Sequence, residues 1–347
     1  MTHESTKLSR GYPIAMLSAA VLSTTAIFIR YLTQTFAMPP LVLAAWRDVF
    51  VTLTLLVVLG LFRSPLLRTT GEHKKYLVIY GFVLAMFNAF WTTSVALSGA
   101  AIATVLAYSS AAFTVLLGWW FLKERLDASK LVVVGLSLTG CALVSGALDA
   151  QFIALGILKP TSELALTQPL SISSTAVASP GTLWSFLGIF TGLLSGLCYA
   201  LYSLMGRSAS RRGLNPWTTL FYTFAFAGLF LLVINLLPGG WVMGAARTPV
   251  DFWWLGNSLP GWGALFLLAA GPTVLGFGLY NISLTHLPSS VANLILTSEP
   301  VFTGIVAYLV LGERLNGMQI IGGVMILAGV IVLRLRAGEN LGTPGEY

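Results

Sequence analysis

The 347-residue chain is 56% hydrophobic and 9% charged, against about 25% charged in ordinary domains, which excludes a typical soluble fold and makes lipid the expected solvent. Its formal charge of +7 would fit a nucleic-acid partner if it formed one patch. The basic residues instead fall in short segments between apolar runs, a signal of membrane topology, so no nucleic-acid partner is expected.

Apolar runs near twenty residues predict ten transmembrane helices, at 12–32, 41–62, 76–97, 99–121, 128–147, 183–205, 217–237, 262–285, 288–311 and 318–335. The expected fold class is therefore all-α integral membrane. The uncharged runs from Tyr76 to Leu122 and from Phe252 to Ser298 are too long for one crossing. Each needs a tight turn, at Ser98-Gly99 and at Leu287-Pro288. Lys and Arg gather at 7–10, 63–75, 123–130, 207–212 and 334–336, which places both termini in the cytoplasm of a cell whose plasma membrane the chain crosses repeatedly. Lys7 and Arg10 before the first run mimic a signal peptide, but the run is long and nine more follow, so an uncleaved helix is expected.

The first span carries Ala15, Ala19 and Ser23 at four-residue spacing, a small face that admits another helix closely; its counterpart in the sixth span is Gly188, Gly192, Gly196 and Ala200. In the second span, Arg47 and Asp48 lie about six residues from the outer end. They read either as part of a substrate site or as a structural ion pair near the headgroups. Asn88 and Trp91 follow one turn apart in the third span, and the eighth offers Phe277, Tyr280 and Asn281, with Trp91 matching Tyr280. These residues read as walls of a pocket or as core and interface belt. Residues 148–182, rich in Ser, Thr, Ala and Pro, read as a linker on the outer side or a partial lid. The outer loop 238–261 holds Trp241, Trp253 and Trp254, with Trp262 just after it, an expected interfacial anchor.

The ninth span contains Glu299 and Pro300 near its middle. An acidic side chain at the bilayer centre costs on the order of 2.5 kcal/mol or more, so something must offset it. Either Glu299 exchanges a proton or receives a substrate's ammonium group, or it bonds to Thr297, Ser298 or free amides and steadies a kink. Pro272 and Pro300 each deprive a carbonyl one turn earlier of its amide partner and permit such kinks.

The chain is also a duplication. Ala103, Phe113, Thr114, Leu122, Glu124, Arg125 and Leu126 recur 189 positions later as Ala292, Phe302, Thr303, Leu311, Glu313, Arg314 and Leu315. Tyr108, Ser109 and Ser110 thereby match Thr297, Ser298 and Glu299. Each half has five spans, and an odd number makes the two repeats opposite in orientation, as in secondary transporters with a site at the midplane. The repeats run over 8–147 and 183–336.

Cys141 and Cys198 fall within spans and read as small packing residues. His3, His73 and His286 lie far apart, and no metal-ligand spacing, nucleotide loop or nucleophile elbow is present, so neither a cofactor nor a metal is expected.

The segment 287–333 resembles the end of an EamA-like repeat of the drug/metabolite transporter superfamily. It has a span with a central Pro, a Gly-Glu-Arg-Leu break at 312–315, and a glycine-rich span ending in Ala328-Gly329. The first half repeats this more loosely, with Ala111 where the second copy has Pro300, so the resemblance carries no proline kink to the fourth span. It implies a ten-helix transporter of small metabolites, commonly an exporter of amino acids or related compounds. The competing class is an intramembrane enzyme acting on lipid-linked substrates, which would have to use Glu299 or Asp48. The candidate substrate or coupling residues are thus Glu299, Tyr108, Trp91, Asn88, Tyr280, Asn281, Arg47 and Asp48, with the lipid bilayer and a small metabolite, carried alone or coupled to a proton, as partners.

Overall fold

The computed structural model describes residues 3–98, 106–123, 128–144, 181–237, 244–311 and 317–339. The 148–182 linker, apart from its last two residues, and both Glu-Arg-Leu breaks lie outside the described residues. Thirteen α-helices form the described part, with short 3-10 turns and no strand among the described residues. In a bilayer the backbone must satisfy its own hydrogen bonds, and helices do this within one segment.

In chain order these are α1 (His3–Leu22), α2 (Thr25–Thr35), α3 (Pro40–Phe62), α4 (Gly71–Ser98), α5 (Ser110–Leu122), α6 (Ala128–Val144) and α7 (Gly181–Arg211). There follow α8 (Pro216–Leu236), α9 (Leu259–Leu268), α10 (Val274–His286), α11 (Ser289–Leu296), α12 (Glu299–Leu311) and α13 (Gly317–Glu339). Six stretches are long and apolar enough to cross a membrane: Arg10–Ile29, Pro40–Phe62, His73–Ser94, Leu187–Arg211, Pro216–Leu236 and Leu259–His286. Of the other expected spans, the tenth is covered by the 23-residue α13 and the fifth by the 17-residue α6, while the fourth and ninth are broken helices. The turn expected at Leu287-Pro288 is present between α10 and α11.

Local signals fix several ends. Asn215 caps α8 by accepting from Trp217 N at 2.9 Å, with Pro216 in the first turn where no amide is needed. Gly213, at φ +76°, ends α7 in the left-handed conformation, and Leu214 N donates back to Ala209 O at 3.1 Å.

Helices from the two halves interleave: α7 lies along α4, α10 along α1, α8 along α3 and α13 along α6. Ser94 Oγ donates to Gly188 O and Ser18 Oγ to Gly276 O, both at 2.8 Å, tying the first two pairs. The small face expected on the sixth span admits a neighbour, since a Cβ at Gly196 would stand 2.9 Å from Leu106 O, and Ala15, Ala19 and Ser23 of the first span are fully buried. The fifth and tenth spans touch in the same way, a Cβ at Gly140 lying 2.7 Å from Gly322 O.

The two ends of the bundle differ. At one end, Thr218 and Tyr222 donate to Leu66 O and Leu67 O, and Arg212 lies 4.5 Å over the Tyr76 ring. This basic end also holds Arg63, Arg68, Lys74, Lys75 and Arg211. At the other end, Trp46 stacks on Phe252 at 4.9 Å and donates through Nε1 to Phe252 O, while Trp254 Nε1 donates to Phe36 O. Trp253 and Trp262 pack on the same indole, which ties the loop to α3.

Four expected spans are not continuous helices. The first breaks at Ser23-Thr24, whose hydroxyls donate to Ala20 O and Val21 O. The eighth contains a π turn, Ala269–Thr273, rather than a simple proline kink. Pro272 offers Leu268 O no amide, and Thr273 Oγ1 donates to that carbonyl at 2.8 Å instead. The ninth breaks between α11 and α12, where Ser298 N and Oγ both reach Ile295 O at 3.0 and 2.7 Å. The fourth breaks as well, although it has no proline. Ser109 N and Oγ both reach Leu106 O, at 3.1 and 2.5 Å. Leu106 and Ser109 lie 189 positions before Ile295 and Ser298, so serine, not proline, is the element the two breaks share.

Candidate functional site

The deep polar residues form three groups. The first joins α3 to α4. Arg47 Nε donates to Asp48 Oδ1 at 3.3 Å, Arg47 Nη2 donates to Asn88 Oδ1 at 2.7 Å, and Asn88 Nδ2 donates to Asp48 Oδ2 at 3.0 Å. All three are buried, and Asp48 is fully so. The ring closes on itself: each carboxylate oxygen has a donor, and the charges cancel. α8 presses against it, since a Cβ at Gly228 would lie 3.5 Å from Asp48. Sequence reasoning named all three residues but did not foresee that Asn88 completes the pair.

The second group is a stack of tyrosines that sequence reasoning largely missed. Tyr199 and Tyr202, on one face of α7, stack at 6.1 Å with planes 6° apart, and Tyr280 of α10 lies 6.0 Å from Tyr199 and 6.3 Å from Tyr202. Tyr80 of α4 approaches Tyr202 at 4.7 Å, and Phe87, two turns along α4, approaches Tyr199 at 5.0 Å. Tyr80, Tyr202 and Tyr280 are fully buried, whereas Tyr199 and Phe87 are half-buried. The Tyr280 hydroxyl donates to Ser203 Oγ, and Asn281 Nδ2 reaches the Tyr202 hydroxyl at 3.4 Å. Asn281 Oδ1 is buried with no hydrogen-bond partner among the described residues. It faces the same side of Gly206 as the Tyr80 hydroxyl: a Cβ there would stand 3.6 and 2.7 Å from them. The signal available in the sequence was Tyr199-x-x-Tyr202-Ser203, three polar-tipped residues on one face of an otherwise apolar helix.

Trp91 shares a face of α4 with Tyr80 and Phe87, eleven and four residues after them, and is half-buried. Trp91 and Tyr280, matched by the duplication, do not meet in a ring contact. Tyr280 pairs with the α7 tyrosines instead, because α7 lies between the two helices.

The third group lies at the break of the ninth span. Glu299 opens α12 and is partly buried. Thr297 and Ser298 each use their one hydroxyl proton on Leu294 O and Ile295 O. Neither is left to donate to the Glu299 carboxylate, and no hydrogen bond or cation reaches it among the described residues. Glu299 and Tyr108, at the break of the fourth span, both lie within electrostatic reach of the Tyr199 hydroxyl. The two breaks converge on α7 as well: Ser109 packs on Gly196, and α11 is joined to α5 by Asn293 Nδ2 donating to Thr114 Oγ1 at 2.6 Å.

Comparison with known proteins agrees with this architecture. An uncharacterized transporter of Archaeoglobus fulgidus is 30% identical over 145 residues, covering 42% of this chain and 47% of the relative. The uncharacterized transporter YyaM of Bacillus subtilis is 29% identical over 143 residues, 41% of this chain and 42% of the relative. In these matches the chain spans less than half the length of the relative. A second Archaeoglobus fulgidus uncharacterized transporter is 23% identical over 325 residues, covering 93% of this chain and 96% of the relative. A solved structure described only as the crystal structure of a protein superposes with a TM-score of 0.69 at 17% identity, over 95% of this chain and 98% of that one, and shares the fold. The profile of the EamA-like transporter family matches residues 9–146 and 186–335. Both halves of this multi-pass membrane protein carry the pattern, and the chain belongs to the EamA-like transporter family.

Proposed function

We propose that the protein is a secondary transporter that exports a small metabolite, such as an amino acid or a related compound, across the plasma membrane by alternating access. The observation that carries this reading is the pair of matched helix breaks, at Ser109 and Ser298, converging on α7 beside Tyr199 and Glu299. Broken helices that meet at the middle of a bundle place polar groups where a substrate is handed from one face to the other.

Ten helices in two inverted repeats, 8–147 and 183–336, account for the pairing of elements. Exchanging the halves turns α4 against α7 into α10 against α1. The contact of Phe87 with Tyr199 then becomes that of Gly276 with Leu22. In this reading both termini and the basic end face the cytoplasm, and the fully buried Tyr80, Tyr202 and Tyr280 seal the path on that side. Cysteines placed singly at Ser64 and Ser210 then label from the cytoplasm and one at Ser173 from outside. Labelling of Ser173 and Ser210 from the same face contradicts the inversion.

Glu299 is the coupling or substrate-binding group, exchanging a proton or an ammonium ion with the path. The use of Thr297 and Ser298 on backbone carbonyls disfavours a merely kink-steadying role. The Arg47–Asp48–Asn88 ring is architecture that holds α3 to α4, while Tyr108, Trp91, Tyr280 and Asn281 line or floor the site. An intramembrane enzyme acting on lipid-linked substrates would need a second acid, and Asp48 is already engaged on both oxygens.

The test is Glu299→Gln in proteoliposomes. The variant is expected to assemble normally and to lose transport or its dependence on a pH gradient. Transport at the wild-type rate with the same pH response moves the site to Trp91, Tyr108 and Asn281.

A further inference from the structure

The duplication places one serine–glycine pair twice in the bundle. Ser94 of α4 recurs 189 positions later as Ser283 of α10, and Gly11 of α1 recurs 177 positions later as Gly188 of α7. Both serines are fully buried, and both glycines are buried. The two pairs stand at opposite ends. Ser94 and Gly188 are far from the basic end, close to the last residue of α4 and the first of α7. Ser283 and Gly11 are near it, where Arg207 Nη1 donates to Leu284 O at 2.7 Å.

Identical residues bond differently. Ser94 Oγ donates across to Gly188 O at 2.8 Å, joining α4 to α7. Ser283 Oγ donates at 2.7 Å to Tyr280 O of its own helix. A hydroxyl has one proton, so Gly11 O receives none from Ser283. Yet α10 is close by, since a Cβ at Gly11 would stand 2.5 Å from Leu287 Cγ and 3.0 Å from His286 Cβ. Residue type does not account for the difference, because serine and glycine are the same in both copies. A neighbouring pair is the contrary case. Ser18 Oγ donates to Gly276 O at 2.8 Å, while its counterpart Ser195 donates to Gly192 O within α7. There the partner itself has changed: Phe87 stands in the first copy where Gly276 stands in the second, and a ring holds apart two helices that a glycine lets touch. The Ser18 difference is written in the sequence, whereas the Ser94–Ser283 difference belongs to the conformation.

We propose that the two serines exchange roles as the path changes face: in the opposite state Ser283 turns from Tyr280 O to Gly11 O, and Ser94 turns from Gly188 O to Trp91 O. The exchange rests on the inverted repeats and alternating access proposed above, since repeats of opposite orientation trade conformations when the site moves from one face to the other. Each serine keeps one hydrogen bond throughout, so the two states stay close in energy. Ser18, with no matching glycine to trade against, bonds to Gly276 in both.

The test uses a reporter that the closed basic end hides. Leu284 is fully buried there, its Cδ1 2.6 Å from the place a Cβ on Gly206 would take, so a cysteine at 284 reacts when α10 parts from α7. Maleimide labelling of Leu284→Cys is followed in the full-length protein in nanodiscs, with Cys141 and Cys198 replaced by alanine. The Ser94 bond is made while this end is closed. Ser94→Ala is therefore expected to speed labelling about threefold and Ser283→Ala to slow it about threefold, the effect of one modest hydrogen bond. The double variant returns to the starting rate, and Ser18→Ala lowers Tm without moving the rate. Unchanged or faster labelling in Ser283→Ala overturns the proposal. So does Ser18→Ala speeding labelling as much as Ser94→Ala, because the rate would then follow general loosening. A reporter that stays unlabelled in every variant overturns alternating access at this end, and the exchange with it. A reporter that labels at one rate in all of them overturns the exchange alone.

Discussion

Asp48 accepts hydrogen bonds from Arg47 and Asn88 on its two oxygens, whereas the Glu299 carboxylate, in the other half of the chain, has no donor among the described residues. Both are acids set among apolar helices, and both carry the cost of leaving water. The difference shows two ways of meeting that cost. Where the compensation is permanent, the charge works as a joint between helices, and removing a partner strands it. Where no described residue supplies the compensation, the proposed reading assigns it to something that binds and leaves, a proton or a ligand.

The sharpest way to break this comparison is Arg47→Met, which leaves Asp48 buried with Asn88 alone. Breaking a buried pair from one side costs about 3–5 kcal/mol, so we expect a sharp fall in the yield and Tm of the detergent-solubilised protein. The double variant Arg47→Met/Asp48→Leu should regain most of the loss. A single variant as stable as the wild type would mean that water reaches the ring. Asn88→Leu is a milder cut. It leaves Asp48 Oδ2 and Arg47 Nη2 without partners, at about 1–3 kcal/mol, and chemical unfolding in micelles should show it as intermediate between the wild type and Arg47→Met.

Glu299→Gln is the contrasting case. Because nothing among the described residues pairs with the carboxylate, removing its charge should leave stability unchanged or raise it, by on the order of 1 kcal/mol, even as transport is lost. A clear drop in Tm would reveal a partner for Glu299 and collapse the distinction between the two acids.

What the sequence disclosed and what it hid follow from the same physics. The duplication, the small faces and the ten apolar runs were legible because each is written in consecutive residues at a fixed period. The adjacency of Arg47 and Asp48 was plain, but the arrival of Asn88 depends on how α4 is rotated against α3, which no single-helix pattern encodes. The tyrosine stack was harder still, since its four rings come from three helices. The break in the fourth span was hidden by attention to proline: Ala111 occupies the place of Pro300, yet Ser109 opens the helix with the same two bonds that Ser298 makes.

That equivalence supplies a smaller test. Pro300→Ala should leave the break and the placement of Glu299 intact, with a stability change below about 1 kcal/mol and transport retained, because the fourth span breaks with alanine in that position. Loss of transport with preserved folding would return the joint to the proline. The least effect is expected from shortening 165–178, since even a doubling of loop length changes closure entropy by only about 0.6 kcal/mol. Lost transport at unchanged expression would instead make that segment a lid.

The 3.3 Å contact between Arg47 and Asp48 also bears on the order in which the chain is made. The two residues leave the ribosome one after the other and belong to the same helix. The second span can therefore reach the translocon with its charges already matched, about forty residues before Asn88 is synthesised. Glu299 emerges only after Tyr80, Tyr199, Tyr202 and Tyr280 have been made. Its helix is the one whose insertion leans on finished neighbours, so the ninth span, 288–311, presented without the preceding helices should integrate poorly while the second span, 41–62, integrates alone.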